Sequence, residues 1–346
     1  MPPGMYPPPM FYPPPAPQGR GFSKAILVTL ATSIFGLSLM LNLYLLAFSG
    51  LFGGEASTQT TVDAGEESQK VAIVPVHGII TDATSNWVTH WLRDIEKDPN
   101  VKALVLDVDT PGGGVTPSDE IHHRIRQLRK VKGESFPIAV SMGGLATSGG
   151  YYVASHKDVE IFAQPTTLTG NIGVLMPRFN LSELAKKWGV NEATLTAPVN
   201  GFKNAGSMFQ PEKPEDAAYL QGIINEAYGN FRDIVKEGRE GKLKGPLSEI
   251  ANGQVFTFQQ AVDKGLVDQK GYTEDAWKWA AQKANLSKPT IVRYHAPTSL
   301  LNLLMNEWQG KAPVAGNQDV NVDVKLDAKL IDELTSPRLM YLWRGE

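Results

Sequence analysis

A serine flanked by glycines could act as a nucleophile. Ser148 lies in the segment GGLATSGGYY, which directly follows the apolar run 138–142. At a junction between a strand and a helix, such a serine can present its hydroxyl group where the N–H group of the next residue also points. The segment lacks G-x-S-x-G, which excludes the nucleophile motif of the α/β-hydrolases. The structural alternative is that Ser148 only caps the following helix.

A second glycine cluster, Gly112–Gly114, follows another apolar run and directly precedes a predicted helix. Glycines let backbone N–H groups approach a ligand closely, and a helix N-terminus adds positive potential. The loop could hold a phosphate, although neither G-x-G-x-x-G nor the Gly-Lys-Ser/Thr phosphate loop is present. It could instead form an oxyanion hole, whose N–H groups stabilise negative charge during acyl transfer. The structural alternative is a tight turn from strand to helix.

A nucleophilic serine requires a base, and no histidine has the spacing of a triad or a zinc site. The histidines are His77, His90, His122, His123, His156 and His295. Lysine can replace histidine when burial lowers its pKa toward neutrality, because desolvation disfavours the ammonium form. Lys203 is the candidate, since it stands alone among uncharged residues in APVNGFKNAGSM. The structural alternative is a solvated lysine in a loop.

Beyond residue 70, short apolar runs rich in β-branched residues alternate with segments of helical spacing. The apolar runs are 71–76, 103–108 and 138–142, and the helical segments are 87–97, 117–132 and 214–240. Such runs are typical of strands that are buried on both faces. The alternation of strands and helices predicts an α/β domain with parallel pairing.

The first 70 residues lack the pattern of a folded domain. Residues 1–24 hold nine of the 24 prolines of the chain and are predicted to be a disordered, polyproline-II-like tail. Residues 25–48 contain no charged side chain. A helix of that length, about 36 Å, can cross a hydrocarbon core of about 30 Å. Residues 49–70 are predicted to be a polar linker.

The apolar stretch 25–48 is predicted to be a retained anchor and not a cleaved signal peptide. It is longer than the apolar core of a signal peptide, which has about 7–15 residues, and no clear A-x-A cleavage site follows it. Arg20 and Lys24 precede the stretch, whereas acidic residues follow it. This asymmetry predicts a cytoplasmic N-terminus and places the rest of the chain on the other side of the membrane.

Composition excludes several classes of protein. The chain has 346 residues and no cysteine, which excludes a disulfide scaffold, a thiolate zinc site and a cysteine nucleophile. Its 33 basic and 36 acidic side chains give no basic field, so nucleic acid is not an expected partner. No metal or other cofactor is expected.

Four motifs occur in one order along the chain. They are PGGG at 111–114, ATSGGYY at 146–152, QPTTLTGNIGV at 164–174 and VFTFQQAVDKGLVD at 255–268. In combination they resemble the signal peptide peptidase A family, membrane-anchored bacterial serine peptidases with a Ser–Lys dyad. The resemblance implies a ClpP/crotonase-like spiral of ββα units, in agreement with the alternation above. It implies a peptidase domain at 71–287, followed by a C-terminal extension at 288–346.

The resemblance implies that Ser148, in the SGGY motif, is the nucleophile and that Lys203 is the general base. In the resulting hypothesis, neutral Lys203 takes the Ser148 proton, the alkoxide attacks a peptide carbonyl, and water releases the acyl-enzyme. The N–H group of Gly149 and one from Gly113 or Gly114 would form the oxyanion hole.

Three positions differ from the family pattern. Asn171 stands where the family usually has a serine that orients the lysine amine, and its amide oxygen can accept the same hydrogen bond. Asn204 follows Lys203 in place of the usual aspartate, and residues 199–202 replace the usual Ser-Gly before the lysine.

The resemblance also implies substrates and partners. Substrates would be cleaved signal peptides and other unfolded apolar peptides, and partners would be the lipid bilayer and further copies in a ring. In some members the serine and lysine of one site come from neighbouring protomers. Two other functions stay open: a crotonase-like acyl-CoA enzyme, and an inactive homologue that acts as a membrane scaffold, which the three differences allow.

Overall fold

The computed structural model describes residues 20–51, 58–197, 201–296 and 338–345. The described residues fall into two units. One is the helix α1 (Arg20–Leu51), and the other is an α/β domain that contains the remaining described residues. Most of the predicted proline-rich tail lies outside the described residues.

Helix α1 contains the whole predicted anchor, residues 25–48. Its segment Ile26–Tyr44 has a mean hydropathy of 2.0, and its side chains are exposed. By length and composition this helix can cross a membrane, as the sequence predicts for residues 25–48.

The α/β domain is built on one large sheet. Its strands, with those of a small second sheet, are β1 (Thr58–Asp63), β2 (Glu66–His77), β3 (Val101–Thr110), β4 (Gly112–Gly114), β5 (Ile138–Thr147), β6 (Glu160–Ala163), β7 (Leu168–Gly170), β8 (Val255–Thr257), β9 (Gln269–Lys270), β10 (Pro289–His295) and β11 (Met340–Leu342). The order in the large sheet is β1–β10–β2–β3–β5–β6–β9, with β7 paired to β5 and β8 to β7. All its pairs are parallel except β1–β10 and β7–β8.

Helices follow the strands in the predicted alternation. They are α2 (Asp82–Lys97), α3 (Val115–Lys132), α4 (Gly149–Ala154), α5 (Ser182–Lys187), α6 (Pro214–Gly238), α7 (Leu247–Ile250), α8 (Phe258–Asp263) and α9 (Thr273–Lys283). Helix α2 begins where the Thr81 hydroxyl accepts from the Thr84 N–H, and α3 ends before Gly133, whose φ is 101°. The predicted α/β class is confirmed.

Both faces of the central strands are buried. Along β2, Ala72, Val74 and Val76 belong to a core shared with α2 and α3. Val71 and Ile73 alternate with them and belong to a second core with α9. Because successive side chains point to opposite faces of a sheet, burial of both faces requires a continuous apolar run. This is why the strand segments read as unbroken apolar stretches.

The predicted linker and C-terminal extension differ from the structure. Residues 58–63 form β1 and residues 66–70 begin β2, so this part of the predicted linker 49–70 is wrong. Likewise β10, within the predicted extension 288–346, lies between β1 and β2 in the sheet. The polar sequence of β1 is compatible with an edge strand, because such a strand is held by backbone hydrogen bonds and needs little apolar surface.

Candidate active site

Ser148 forms the entire turn between a strand and a helix. Strand β5 ends at Thr147 and α4 begins at Gly149, which leaves Ser148 with φ 53° and ψ −112°. The Ser148 N–H donates to the Gly170 carbonyl at 2.8 Å, and the Ser148 carbonyl accepts from the Tyr152 N–H at 2.9 Å. A residue other than glycine keeps such a conformation only where its surroundings fix it, as they do at a nucleophile on a strand–turn–helix junction.

The two glycine clusters of the sequence meet at this turn. A methyl group on Gly149 would lie 2.7 Å from Ser118 Oγ and 3.2 Å from the Gly113 nitrogen. A methyl group on Gly112, whose φ is 98°, would lie 2.7 Å from the Gly149 nitrogen. Glycines are therefore required on both sides, because β4 and the start of α4 touch through their backbones.

The backbone N–H groups that could form the oxyanion hole differ in whether they already donate a hydrogen bond. Gly149 occupies the first turn of α4, where an N–H group has no partner within the helix. The Gly113 nitrogen lies beside it. The Gly114 N–H donates to the Ile80 carbonyl at 2.9 Å and is already engaged. Gly113 stands opposite Tyr341 in a hydrogen-bonded position of the β4–β11 ladder, so its N–H is directed at β11. Gly149 is thus the free donor, and Gly113 joins it only where β11 leaves β4.

The hydroxyl group of Ser148 is enclosed. The residue is 1 % exposed, and Ser148 Oγ has no hydrogen-bond partner among the described residues. The sequence predicts an exposed hydroxyl group at this junction; the structure buries it. No histidine or lysine of the described chain is hydrogen-bonded to this oxygen, so the structure contains the predicted nucleophile without a base beside it.

Lys203 lies in a turn on the surface. The residue is exposed, and its amine makes no hydrogen bond or ion pair with the residues that the structure describes. The three residues 198–200 in the same loop lie outside the described part. Within one chain the structure does not bring Lys203 into hydrogen-bond contact with Ser148.

Asn171 directly follows the residue that holds Ser148. Its φ is 53°, a left-handed conformation that asparagine tolerates better than most residues. Its N–H donates to the Gln254 carbonyl at 2.7 Å, and Nδ2 donates to the Gly253 carbonyl at 2.6 Å. The second bond fixes the side chain through its amide donor, which leaves Oδ1 available as an acceptor.

A C-terminal strand runs along the glycine loop. Strand β11 pairs antiparallel with β4, in the register Tyr341 opposite Gly113. On its other edge, Met340 exchanges two backbone hydrogen bonds with Leu175, at 2.9 and 3.0 Å. The Tyr341 carbonyl and the Gly149 nitrogen both lie against Gly112. Sequence reasoning missed this strand, although the apolar closing run RLMYLW is a signal for it.

An aromatic cluster anchors that strand. The Tyr341 ring stacks on Tyr152 with centroids 5.0 Å apart and lies 4.6 Å from Phe231. Its hydroxyl group donates to the Ala227 carbonyl at 2.9 Å. Burial raises the pKa of Tyr341 and of Tyr152, whose hydroxyl group also donates to Asp119 at 2.7 Å. Both phenols therefore stay neutral and serve as donors.

Known peptidases are similar to this chain. Peptidase family S49 matches residues 130–287. A protein of Enterococcus faecium named "Putative signal peptide peptidase SppA" is 31 % identical over 85 % of this chain and 87 % of its own length. "Protease 4" of Salmonella typhi is 30 % identical over 73 % of this chain and 40 % of its own length. A solved mutant of the 1510-N membrane-bound stomatin-specific protease aligns with 66 % of this chain and 99 % of its own, at 17 % identity and a TM-score of 0.39.

The near full-length similarity to the Enterococcus faecium protein covers both the turn at Ser148 and the glycine loop. The S49 match includes Ser148 and the strands β5 to β9. This chain therefore belongs to the signal peptide peptidase A group of peptidase family S49 and is a serine peptidase.

Proposed function

We propose that the protein is a membrane-anchored endopeptidase that cleaves unfolded apolar peptides, such as signal peptides released into the membrane, through a Ser–Lys dyad. The observation that carries the proposal is the position of Ser148 in a strained turn beside β4, a strand on which an extended segment is held.

Strand β11 indicates how a substrate would bind. It is extended, pairs antiparallel with β4 on one edge and contacts Leu175 on the other. Peptidases and other peptide-binding proteins commonly add an extended peptide to an exposed strand edge in this way, because backbone pairing does not depend on sequence. A folded protein cannot enter between two strands. The groove therefore selects unfolded peptides.

The chemistry follows from the backbone around Ser148. Lys203, in its neutral form, accepts the proton of Ser148 Oγ, and the oxygen attacks a peptide carbonyl. The developing oxyanion accepts hydrogen bonds from the N–H groups of Gly149 and Gly113. The lysine then gives its proton to the leaving amine, and water hydrolyses the acyl-enzyme. Asn171 Oδ1 is proposed to orient the lysine amine.

The base is proposed to come from a neighbouring copy of the chain. Ser148 Oγ has no partner in one chain, and Lys203 is exposed in a surface segment rich in uncovered apolar side chains. These are Phe179, Leu184, Trp188, Val190, Leu195, Phe202, Phe209 and Tyr219. A surface of this kind marks a contact site. Burial of Lys203 there would lower its pKa, because desolvation disfavours the ammonium form.

The orientation of the anchor fits the substrates. Arg20 and Lys24 precede the apolar part of α1, which supports a cytoplasmic N-terminus and a peptidase domain on the other side. Remnants of secretory signal peptides lie in the same membrane.

The test uses the full-length protein in detergent and a fluorophosphonate probe. We expect labelling of the wild type, none of Ser148→Ala, and a loss of at least a hundredfold with Lys203→Ala. Lys97→Ala, at an exposed lysine that ends α2, is the matched control and keeps wild-type labelling. Equal labelling of Ser148→Ala would exclude this nucleophile, and absence of labelling in the wild type would favour the inactive scaffold.

Co-expression of the two inactive variants tests the shared site. A mixed assembly pairs an intact Ser148 from one chain with an intact Lys203 from another. We expect peptidase activity to return in the Ser148→Ala and Lys203→Ala mixture. If the mixture stays as inactive as either variant, the base comes from the same chain.

A further inference from the structure

A cavity of about 200 Å³ lies between the second half of α3, the loop 155–158 and the end of α6. Neither Ser148 nor the glycine loop lines it. Its charged lining residues are Arg126, Arg129, Lys130, Glu134, Lys157, Asp158 and Glu237. With four basic and three acidic side chains, the cavity wall carries a small net positive charge.

Two buried imidazoles form one side of this cavity. The rings of His122 and His156 are stacked, with centroids 3.9 Å apart and planes at 11°. His122 Nε2 is 3.0 Å from the Ser155 carbonyl, an acceptor, so this nitrogen carries the proton.

His156 leaves one acceptor without a partner. The residue is 5 % exposed, and its Nε2 has no hydrogen bond in the described structure. Because Nε2 makes no hydrogen bond, we assign the proton of the neutral imidazole to Nδ1. Nε2 is therefore a buried lone pair beside the cavity. A buried polar atom without a partner is uncommon in native proteins and indicates a ligand or a water molecule.

Arg129 leaves one donor without a partner in the same place. Its two terminal nitrogens donate to the carbonyls of Lys157 and Asp158. Its Nε is buried and makes no hydrogen bond to the described residues. Arg126, one turn earlier on α3, is exposed and has no hydrogen-bond or ion-pair partner in the described chain. The cavity thus presents a free acceptor, a free buried donor and a free guanidinium.

We propose that this cavity binds a phosphoryl monoanion that retains an acidic proton, either dihydrogen phosphate or a singly protonated phosphate monoester. Its P–O–H group donates to His156 Nε2, while its charged oxygens accept from Arg129 Nε and from Arg126. Sulfate and carboxylates carry no proton near neutral pH, so they leave His156 Nε2 without a donor. The acidic residues of the wall favour a monoanion over a dianion.

Isothermal titration calorimetry of the full-length Ser148→Ala protein in detergent tests the proposal without peptidase turnover. Potassium phosphate and potassium sulfate are compared at pH 6.5 and equal ionic strength. We expect phosphate to bind at least tenfold more tightly than sulfate. A second substitution in the same protein, Arg126→Ala, is expected to weaken phosphate binding about tenfold, because one hydrogen bond to a charged group is lost. The matched second substitution Arg93→Ala, at an exposed arginine on α2, is expected to leave phosphate binding unchanged.

No heat with phosphate, equal affinity for sulfate, or equal affinity of the Arg126→Ala and Arg93→Ala proteins would each overturn the proposal. A titration with glycerol 3-phosphate separates the two sources of the group. Tighter binding than that of inorganic phosphate assigns the site to a monoester, such as a lipid headgroup. Equal or weaker binding assigns it to free phosphate. Because these measurements need no catalysis, their failure does not touch the proposed peptidase function.

Discussion

The position of the Ser148 hydroxyl group is set by an unusual backbone conformation. Backbone contacts, and not side-chain contacts, hold this conformation in place. The turn is fixed by hydrogen bonds to Gly170 and Tyr152 and by the contact between Gly149 and the glycine loop. A residue other than glycine in such a conformation costs about 1–3 kcal/mol. We propose that the strain is retained because it holds the hydroxyl group at the proposed oxyanion hole.

This strain makes Ser148→Gly a stabilising change. We expect its free energy of unfolding to rise by about 1 kcal/mol, because glycine adopts a positive φ without strain, although it also gains freedom in the unfolded chain. Urea unfolding measures the difference. Ser148→Ala removes the same unpartnered hydroxyl group but keeps the strained backbone, so it is the control and is expected to be about 1 kcal/mol less stable than Ser148→Gly. Both variants lose fluorophosphonate labelling. Equal stabilities of the two variants would contradict the argument.

The buried imidazoles predict acid sensitivity. Burial lowers the pKa of His122 to about 4 and that of His156 well below its usual value, while both titrate near 6.5 in the unfolded chain. Between pH 6.5 and 4 the unfolded chain binds protons that the folded protein does not, so stability falls as the pH falls. His122 alone accounts for a loss of about 3 kcal/mol by pH 4.

Urea unfolding at pH 7 and pH 4.5 checks this prediction. His122→Gln keeps a donor for the Ser155 carbonyl but does not titrate, so its stability depends less on pH than that of the wild type. His123→Gln, at the exposed neighbouring position, retains the wild-type dependence. The prediction is wrong if His122→Gln loses as much stability on acidification as the wild type.

At the scale of the elements, β11 occupies the edge of β4 that a substrate would need. The strand is part of the same chain, so its effective concentration at that edge is high. The buried Tyr341 and its hydrogen bond to Ala227 hold it there. A substrate must therefore displace β11 before it can pair with the glycine strand.

Removal of β11 is expected to increase cleavage. A chain that ends at residue 337 lacks the competing strand, so the KM for an unfolded peptide falls about tenfold while kcat changes less. Steady-state cleavage of a fluorogenic apolar peptide measures both constants. Arg344→Ala, an exposed position beyond the strand, is the control and behaves as the wild type. An unchanged KM in the truncated chain would show that β11 does not compete with substrate.

At the scale of the whole molecule, exposed apolar side chains concentrate in the segment around Lys203. Trp188 is 77 % exposed and Leu195 is 97 % exposed. Single exposed apolar residues are normal on a protein surface, whereas a cluster in one segment marks an interaction site. The same segment carries the proposed base, so association and catalysis are expected to be lost together.

A charge in this segment should separate the copies. We expect Trp188→Asp to shift the detergent-solubilised protein to a smaller assembly and to abolish fluorophosphonate labelling, because a charge placed in an apolar contact is costly to desolvate. Analytical ultracentrifugation measures the assembly. Val131→Asp, at an exposed valine on α3, is the matched control and changes neither property. A variant that dissociates and keeps full labelling would contradict the shared site.

The sequence by itself predicted the features that local pattern controls. Runs such as 71–76 are apolar without interruption because both faces of the strand are buried, and that is visible in the residues. The turn at Ser148 could be located because glycines are needed wherever two backbones touch, as at Gly112 and Gly149.

Only the tertiary structure decided which distant segments meet. Strand β1 is polar and β11 has three residues, and the partners of both are set by backbone hydrogen bonds that leave little trace in the side-chain pattern. The stacking of His122 on His156 depends on how α3 packs against the loop after α4. Contacts between residues far apart in sequence are fixed by the packing of whole elements, whereas periodicity records only whether each position is buried.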